Sequence, residues 1–201
     1  ALADLDHDRW EALFVSNRHV YPQVDQYEIG STYRERNQFF LNLGNGKFRE
    51  IKGAVRDGGA RPRSSRGSAI ADFDNDGDLD IAINNLDGPP SLLRNDGSQG
   101  ARHWLILDLE GVRSNRSAIG ARVTLETETG RQMREVSGGS SYQASNDLRV
   151  HFGLAAAERA RLLTVRWPSG EVQRFRDVGA DRHYLLREGG KLKVFRVGLS
   201  D

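Results

Sequence analysis

The sequence lacks several features that would otherwise point to a function. It contains no cysteine, which excludes disulfide bonds and thiolate metal sites. It has no apolar run near the roughly 18 residues that a membrane-spanning helix requires. Its 29 lysines and arginines nearly balance 28 aspartates and glutamates, giving a net charge of +1 and no basic excess for nucleic acid. We therefore expect neither membrane insertion nor a nucleic-acid partner.

Motifs of catalysis are also absent. The sequence has no HExxH, GxSxG, P-loop or GxGxxG pattern, and its five histidines show no metal-binding spacing. His151, in the strand-like segment VHFGL, is better explained as a packed strand residue than as a general base. The sequence therefore predicts no enzymatic reaction.

The most informative stretch is DFDNDGDLD, which carries five aspartates on alternate positions of residues 72–80. Residues two apart in an extended or turning backbone project the same way, so these carboxylates should converge. Like charges in such a cluster oppose joint ionisation, and a hard cation removes that conflict. We predict a Ca²⁺ site with five ligands: the side chains of Asp72, Asp74, Asp76 and Asp80, and the backbone carbonyl of Asp78.

Two other interpretations of this stretch are weaker. A helix–loop–helix calcium site requires a glutamate at loop position 12, where this chain has Ile83. The following run, Ile81-Ala82-Ile83, predicts a strand rather than a helix. A solvated acidic turn is the simplest alternative, and the turn glycine Gly77 together with the ninth-position Asp80 argues against it.

An internal repeat supports a repeat architecture. Residues 4–17 align without gaps with residues 72–85, and a repeat of this size is typical of stacked units such as propeller blades. In the first copy Arg9 replaces the glycine and Ala12 replaces the ninth-position aspartate. We predict a second, weaker metal site there, formed by Asp4, Asp6, Asp8 and the backbone carbonyl of Trp10.

The segments around the acidic loop predict strands and turns. Phe39–Leu43 and Lys47–Ile51 flank Gly44-Asn45-Gly46, a strong hairpin signal. Residues 52–68 predict a loop, and Ser68–Ala71 a strand that enters the acidic loop. A further strand is predicted at Leu92–Arg94. The loop carries four arginines that either bind an anionic partner or are simply solvated: 56, 61, 63 and 66.

After residue 102 the acidic clusters disappear and short β runs recur, which indicates an antiparallel sandwich or barrel-like domain. The predicted strands are Trp104–Leu109, Ala121–Glu128, Gln132–Val136, Arg149–Leu154, Leu162–Trp167, Val172–Phe175, Tyr184–Arg187 and Leu192–Val197. The alanine-rich segment Ala155–Arg161 predicts a short helical turn. Trp167 is either a platform for a sugar or a core residue, and residues 137–142 form either a small-anion loop or a connection.

These segments resemble a known family. DFDNDGDLDIAINN, preceded by NQFFLNLGNGKF, resembles the FG-GAP/VCBS repeats of integrin-type β-propellers. HWLILDLEG, RSNRSAIGARVTLET and LLTVRWPSGEVQRF resemble the ASPIC/UnbV domain that follows such repeats in relatives of the cartilage acidic protein family. The resemblance implies an all-β protein: a partial β-propeller of about one and a half blades at residues 1–97, then an antiparallel β-sandwich-like domain at residues 98–201.

The resemblance also implies a secreted or surface-displayed protein whose acidic loop binds calcium. Because residue 1 lies inside a motif, we expect a longer or processed chain with any export signal upstream. The first hypothesis is a non-catalytic, calcium-binding interaction or adhesion module, with a protein or glycan at the cell surface, or other copies or blades, as its partner. The alternatives are carbohydrate binding through Trp167 or Tyr142 and a calcium-dependent hydrolase or lyase accessory domain.

Overall fold

Short β-strands make up almost all the regular structure of the computed structural model, which describes residues 1–27, 29–52, 61–86, 88–97 and 102–195. Within those ranges there are fifteen strands and one 3₁₀ helix, Pro22–Gln26. No helix there is long and apolar enough to cross a membrane. The all-β prediction is therefore confirmed.

The packing divides the chain into two units. The first contains Ala1–Leu5, Trp10–Asp96 and Gly139–Asn146, and the second contains Asp6–Arg9, Gly97–Gly138 and Asp147–Asp201. The principal boundary falls after Asp96. Two short segments belong to a different unit from the residues that precede and follow them: Asp6–Arg9 to the second, and Gly139–Asn146 to the first.

The first sheet of the first unit is a meander of four antiparallel strands in chain order. The strands are β1 (Leu2–Ala3), β2 (Ala12–Val15), β3 (Gln38–Asn42) and β4 (Phe48–Glu50). The predicted hairpin between β3 and β4 is confirmed, since Asn42 pairs with Phe48 and the Leu43 N–H donates to the Lys47 carbonyl at 2.9 Å.

The second sheet of this unit contains β5 (Ser64–Ala71), β6 (Asp80–Leu86) and β7 (Ser91–Leu93), again antiparallel and in chain order. The predicted strands on either side of the acidic loop are confirmed. The prediction of a loop up to residue 68 is wrong at its end, because β5 begins at Ser64 and its small, buried serines pair with β6. A propeller blade is a sheet of four consecutive strands, and here the first sheet has four such strands and the second has three.

The second unit contains two four-stranded sheets, ordered β10-β9-β12-β13 and β11-β8-β14-β15. Their strands are β8 (His103–Glu110), β9 (Arg122–Thr127), β10 (Gly130–Glu135), β11 (Val150–Ala155), β12 (Arg159–Arg166), β13 (Val172–Gly179), β14 (Arg182–Arg187) and β15 (Lys193–Val194). Both sheets contribute side chains to one apolar core, which includes Leu107, Val123, Phe152 and Leu163. Neither sheet is closed into a barrel. The sandwich-like prediction is thus confirmed.

Two features of this unit differ from the predictions. The strands β8 and β14 pair in parallel, whereas the other pairs are antiparallel. The predicted helical turn at Ala155–Arg161 is wrong: β11 ends at Ala155, and β12 begins at Arg159. Pairing of β12 with both β9 and β13, and the complete burial of Ala160, outweigh the modest helix propensity of the alanines.

Candidate metal centre

The acidic loop joins the ends of two paired strands. Ala71 at the end of β5 pairs with Asp80 at the start of β6, so residues 72–79 must reverse the chain within a narrow opening. The backbone does this through left-handed conformations at Asn75 (φ 61°) and Gly77 (φ 99°). Asparagine and glycine tolerate this region of φ better than other residues. The sequence therefore suits the loop at both positions where it bends.

Two aspartates hold the loop by accepting backbone hydrogen bonds. One oxygen of Asp80 accepts from the Phe73 N–H at 2.9 Å, and the other accepts from the Asn95 N–H at 2.8 Å. Asp72 accepts from the Gly77 N–H at 3.1 Å. Both carboxylates are only 3% exposed. Since each carboxylate oxygen has two lone pairs, these bonds leave acceptor capacity for a cation.

Three carboxylates converge. Oxygens of Asp72, Asp74 and Asp80 all lie within 4.8 Å of one another. Calcium binds oxygen at 2.3–2.6 Å, so two ligands of one ion are at most about 5 Å apart. The observed spacing is thus compatible with one Ca²⁺ between the three, and hard carboxylate oxygens are the donors that this ion prefers. The residues present fit the implied metal.

Asp76 and Asp78 have different surroundings. The Asp76 carboxylate accepts from the Asp78 N–H at 2.9 Å and lies outside the group of three. Burial, and then the charges of Asp76, Asp72, Asp80 and Asp74, raise the pKa of Asp78 to about 6. The negative potential that this reflects favours a cation. The fivefold ligand assignment made from the sequence stays a prediction, and the geometry singles out Asp72, Asp74 and Asp80.

The first acidic loop bends through left-handed residues at the same two positions as the second, despite its different sequence. His7 (φ 57°) and Arg9 (φ 81°) occupy the positions of Asn75 and Gly77. Arg9 is an uncommon residue for this conformation, and its guanidinium donates to the carbonyl and hydroxyl oxygens of Thr129, both at 2.8 Å. These hydrogen bonds offset part of the backbone strain.

The first loop also gathers carboxylates. Oxygens of Asp4, Asp6 and Asp8 lie within 4.8 Å of one another, but Ala12 offers no fourth carboxylate. Arg102 donates to the carboxylate and to the backbone carbonyl of Asp6, both at 2.7 Å, so part of the negative charge is already neutralised. Trp10, whose backbone carbonyl is the fourth predicted ligand, packs its indole against Gly44. A Cβ added at Gly44 would come within 2.8 Å of the indole nitrogen. The weaker metal site predicted here stays a prediction.

Three other candidate residues have structural surroundings. Trp167 is 2% exposed and its indole N–H donates to Gln173 at 2.7 Å, so of the two alternatives this residue belongs to the core and is not a sugar platform. His151 is buried with its ring centroid 5.2 Å from that of His7, in agreement with a packed role. Tyr142 is exposed on one side and carries the Arg66 guanidinium 4.1 Å above its ring.

The segment 137–142 forms part of a connection between strands. The Ser68 N–H donates to the Ser141 hydroxyl at 3.3 Å, and the Ile70 N–H donates to the Asn146 side chain at 3.0 Å. These side chains occupy donors on the outer edge of β5, which would otherwise be open to another strand. The segment thus covers a sheet edge.

Of the four arginines in the predicted loop, Arg56 lies outside the described residues.

The sequence did not reveal a buried glutamate in the second unit that accepts several hydrogen bonds. Glu188 accepts hydrogen bonds from three consecutive N–H groups, those of Val112, Arg113 and Ser114, at 2.7–2.8 Å. Burial disfavours its charge, but the bonds from Ser114, Ser169 and Val112 prevail and lower the pKa of Glu188 to about 2. No local pattern could have indicated this, since Glu188 lies more than seventy residues from the amides it binds.

Comparison with known families agrees with this architecture. Residues 4–83 match the FG-GAP-like repeat, and residues 111–193 match the family described as ASPIC and UnbV. The chain therefore combines FG-GAP-like repeats with a following ASPIC and UnbV domain, and the resemblance stated from the sequence is confirmed.

The curated relatives share one name. Cartilage acidic protein 1 of Xenopus tropicalis is 34% identical over 175 residues, covering 85% of this chain and 25% of that protein. Cartilage acidic protein 1 of Mus musculus is 35% identical over 111 residues, covering 53% and 17%, respectively. The Homo sapiens protein of the same name is 34% identical over 110 residues, covering 53% and 16%. The chain thus spans about a quarter or less of the length of these relatives.

Proposed function

We propose that this chain is a calcium-binding, non-catalytic interaction module of an extracellular or surface-displayed protein. The observation that carries the proposal is the convergence of Asp72, Asp74 and Asp80 at the ends of two paired strands. The ion neutralises carboxylates that otherwise repel one another and joins the two ends of the loop. The role of the ion is structural: because it binds the folded loop and not the unfolded chain, it stabilises the fold.

The extracellular assignment rests on the family. FG-GAP-like repeats and an ASPIC and UnbV domain occur together in this chain. The chain is also similar in sequence to proteins named cartilage acidic protein 1. The name of these relatives refers to a tissue and a composition and mentions no reaction, which supports a non-catalytic role. A low-affinity calcium site suits millimolar calcium outside cells, where modules bind at about 10⁻⁴–10⁻³ M.

The interaction role is supported by exposed apolar side chains in the first unit. Val20, Tyr21, Tyr27 and Ile29 flank the 3₁₀ helix and are each more than 60% exposed. Exposed apolar and aromatic groups that cluster on a surface are typical of contact sites for protein or glycan partners. We place the partner-binding surface of the module here.

Calorimetric titration of chelator-treated protein with Ca²⁺ tests the proposal, with Mg²⁺ as the control ion. We expect saturable calcium binding and a higher melting temperature, with a much weaker response to Mg²⁺, which demands a tighter octahedral shell. The proposal would be refuted if 10 mM Ca²⁺ produced no heat of binding and no change in the melting temperature. Turnover of an ester, phosphoester or glycan substrate that depends on calcium would instead favour the hydrolase or lyase alternative.

A further inference from the structure

A second pocket lies at the end of the β5–β6 hairpin away from the acidic loop. Ser64 pairs with Leu86 at that end, and Ala71 pairs with Asp80 at the loop. With about 3.3 Å per residue in a strand, the two ends are about 20 Å apart. The pocket has a volume of about 290 Å³. It is thus separate from the candidate metal centre.

The pocket is lined by cationic side chains. Arg34, Arg61 and Arg63 contribute to its wall, and the described lining residues include no aspartate or glutamate. In the described part of the chain, no carboxylate forms an ion pair with these three arginines. Arginine in proteins normally pairs with an anion when a suitable one is near. The pocket therefore presents positive charge that the described residues do not neutralise.

Two buried donors in the pocket wall have no acceptor among the described residues. The Ser64 hydroxyl belongs to a side chain that is 2% exposed, and it makes no hydrogen bond. The Nε of Arg63 is likewise buried and without a partner. Native proteins rarely leave such groups unsatisfied, and each exception calls for an explanation such as a bound ion. An acceptor held in the pocket would satisfy both.

The backbone around the pocket is fixed by hydrogen bonds that do not use these donors. Arg63 and Glu35 exchange two backbone hydrogen bonds of 3.0 Å, which brings the segment of Arg34 beside the start of β5. Asn85 donates to the Pro89 carbonyl at 2.8 Å and so holds the opposite wall. The backbone segments that carry Arg34 and Arg63 are thus held side by side by the fold itself, which lowers the cost of binding a ligand between them.

We propose that this pocket binds a tetrahedral oxyanion, a sulfate or phosphate group carried by a ligand. Guanidinium forks bind such oxygens through paired N–H donors, and the Ser64 hydroxyl supplies a further, uncharged donor. The charged side chains among the described lining residues are all arginines, which favours an anion over a cation. It does not depend on calcium, so its failure and the failure of the proposed function are separate results.

Titration calorimetry of the whole chain at constant ionic strength tests the proposal. The probes are inorganic sulfate and inorganic phosphate, followed by N-acetylglucosamine 6-sulfate and O-phosphoserine, which distinguish a sulfate ester from a phosphate ester. We expect one saturable site per chain. Because charge-assisted hydrogen bonds are the strong ones, Arg61→Gln and Arg63→Gln should each weaken binding about tenfold.

Two further variants separate a built site from diffuse surface charge. Ser64→Ala should weaken binding several-fold without changing the net charge. Arg36→Gln removes the same charge as Arg61→Gln from an exposed residue that does not line the pocket, and should leave binding unchanged. The proposal is overturned if neither ion binds beyond the chloride background, or if Arg36→Gln weakens binding as much as Arg61→Gln does.

Discussion

The carboxylates in the two candidate ligand sets for calcium differ at one residue, Asp76, and a pair of isosteric variants separates the two sets. Asp74 belongs to the group of three converging carboxylates, whereas Asp76 accepts the Asp78 N–H and lies outside it. Among the described residues, no hydrogen bond or ion pair involves the Asp74 carboxylate. Asp74→Asn therefore removes the negative charge of a candidate ligand without removing a hydrogen bond from the calcium-free loop, and in Asp76→Asn the new amide oxygen can still accept the same N–H.

The size of the effect follows from ligand linkage. At 10 mM Ca²⁺, a dissociation constant of about 10⁻⁴–10⁻³ M stabilises the fold by about 1.4–2.7 kcal/mol. For a chain of this length that corresponds to a rise of about 3–11 °C in melting temperature. If the loss of one carboxylate weakens binding about tenfold, Asp74→Asn reduces the stabilisation by about 1.0–1.3 kcal/mol.

The assay is thermal unfolding of both variants with and without 10 mM Ca²⁺, with binding measured by calorimetry. Glu128→Gln is the control, because it removes one exposed negative charge in the other unit. We expect Asp74→Asn to lose about half or more of the calcium increment, while Asp76→Asn and Glu128→Gln keep it. Loss of the increment in Asp76→Asn as well as in Asp74→Asn would favour the ligand set predicted from the alternating pattern, and a full increment in Asp74→Asn would refute both sets.

Three further perturbations test other parts of the structure. Glu188→Gln should destabilise the second unit at neutral pH. Because the pKa of Glu188 is lowered from 4.5 to about 2 in the folded protein, the wild type should lose the stabilisation from this carboxylate as pH falls from 4.5 to 2. Urea unfolding at each pH should therefore show a stability that depends less on acid pH in the variant than in the wild type. Ala12→Asp places a carboxylate where the repeat has Asp80, so it should destabilise the calcium-free protein by about 1–3 kcal/mol and add a second equivalent of bound Ca²⁺ in calorimetry. Trp167→Ala should cost about 3–5 kcal/mol in urea unfolding while leaving calcium binding unchanged, as expected for a core residue.

The elements that could be predicted from the sequence are those specified by nearby residues. The hairpin of β3 and β4 follows from two apolar runs around an asparagine-glycine turn, and the acidic loop follows from its alternating aspartates. The prediction of a helical turn at Ala155–Arg161 was wrong because β12 pairs on both sides with other strands, one of which, β9, is distant in the sequence. Local propensity is a weak guide where such pairing decides the structure.

The components that the sequence could not reveal combine distant residues. Arg34 joins Arg61 and Arg63 only because a backbone bridge connects Glu35 with Arg63. The arginine-rich segment was therefore only partly informative: two of its members line the pocket, and Arg66 instead stacks on Tyr142. The parallel pairing of β8 with β14 is similarly hidden, since it links strands about eighty residues apart.

Comparison of the two acidic loops indicates which sequence difference would weaken the metal site predicted in the first one. Ala3 pairs with Ala12 as Ala71 pairs with Asp80, and the left-handed residues fall at equivalent positions in both loops. Arg9 keeps the left-handed conformation of Gly77, so the missing glycine has not removed this bend. The backbone strain at Arg9 is opposed by its hydrogen bonds to Thr129. The missing ninth-position carboxylate has no such replacement, since Ala12 has no polar side-chain atom. The weakness of the first site thus follows from its donor set and not from its backbone, which is why Ala12→Asp, rather than Arg9→Gly, is the substitution that should restore calcium binding there.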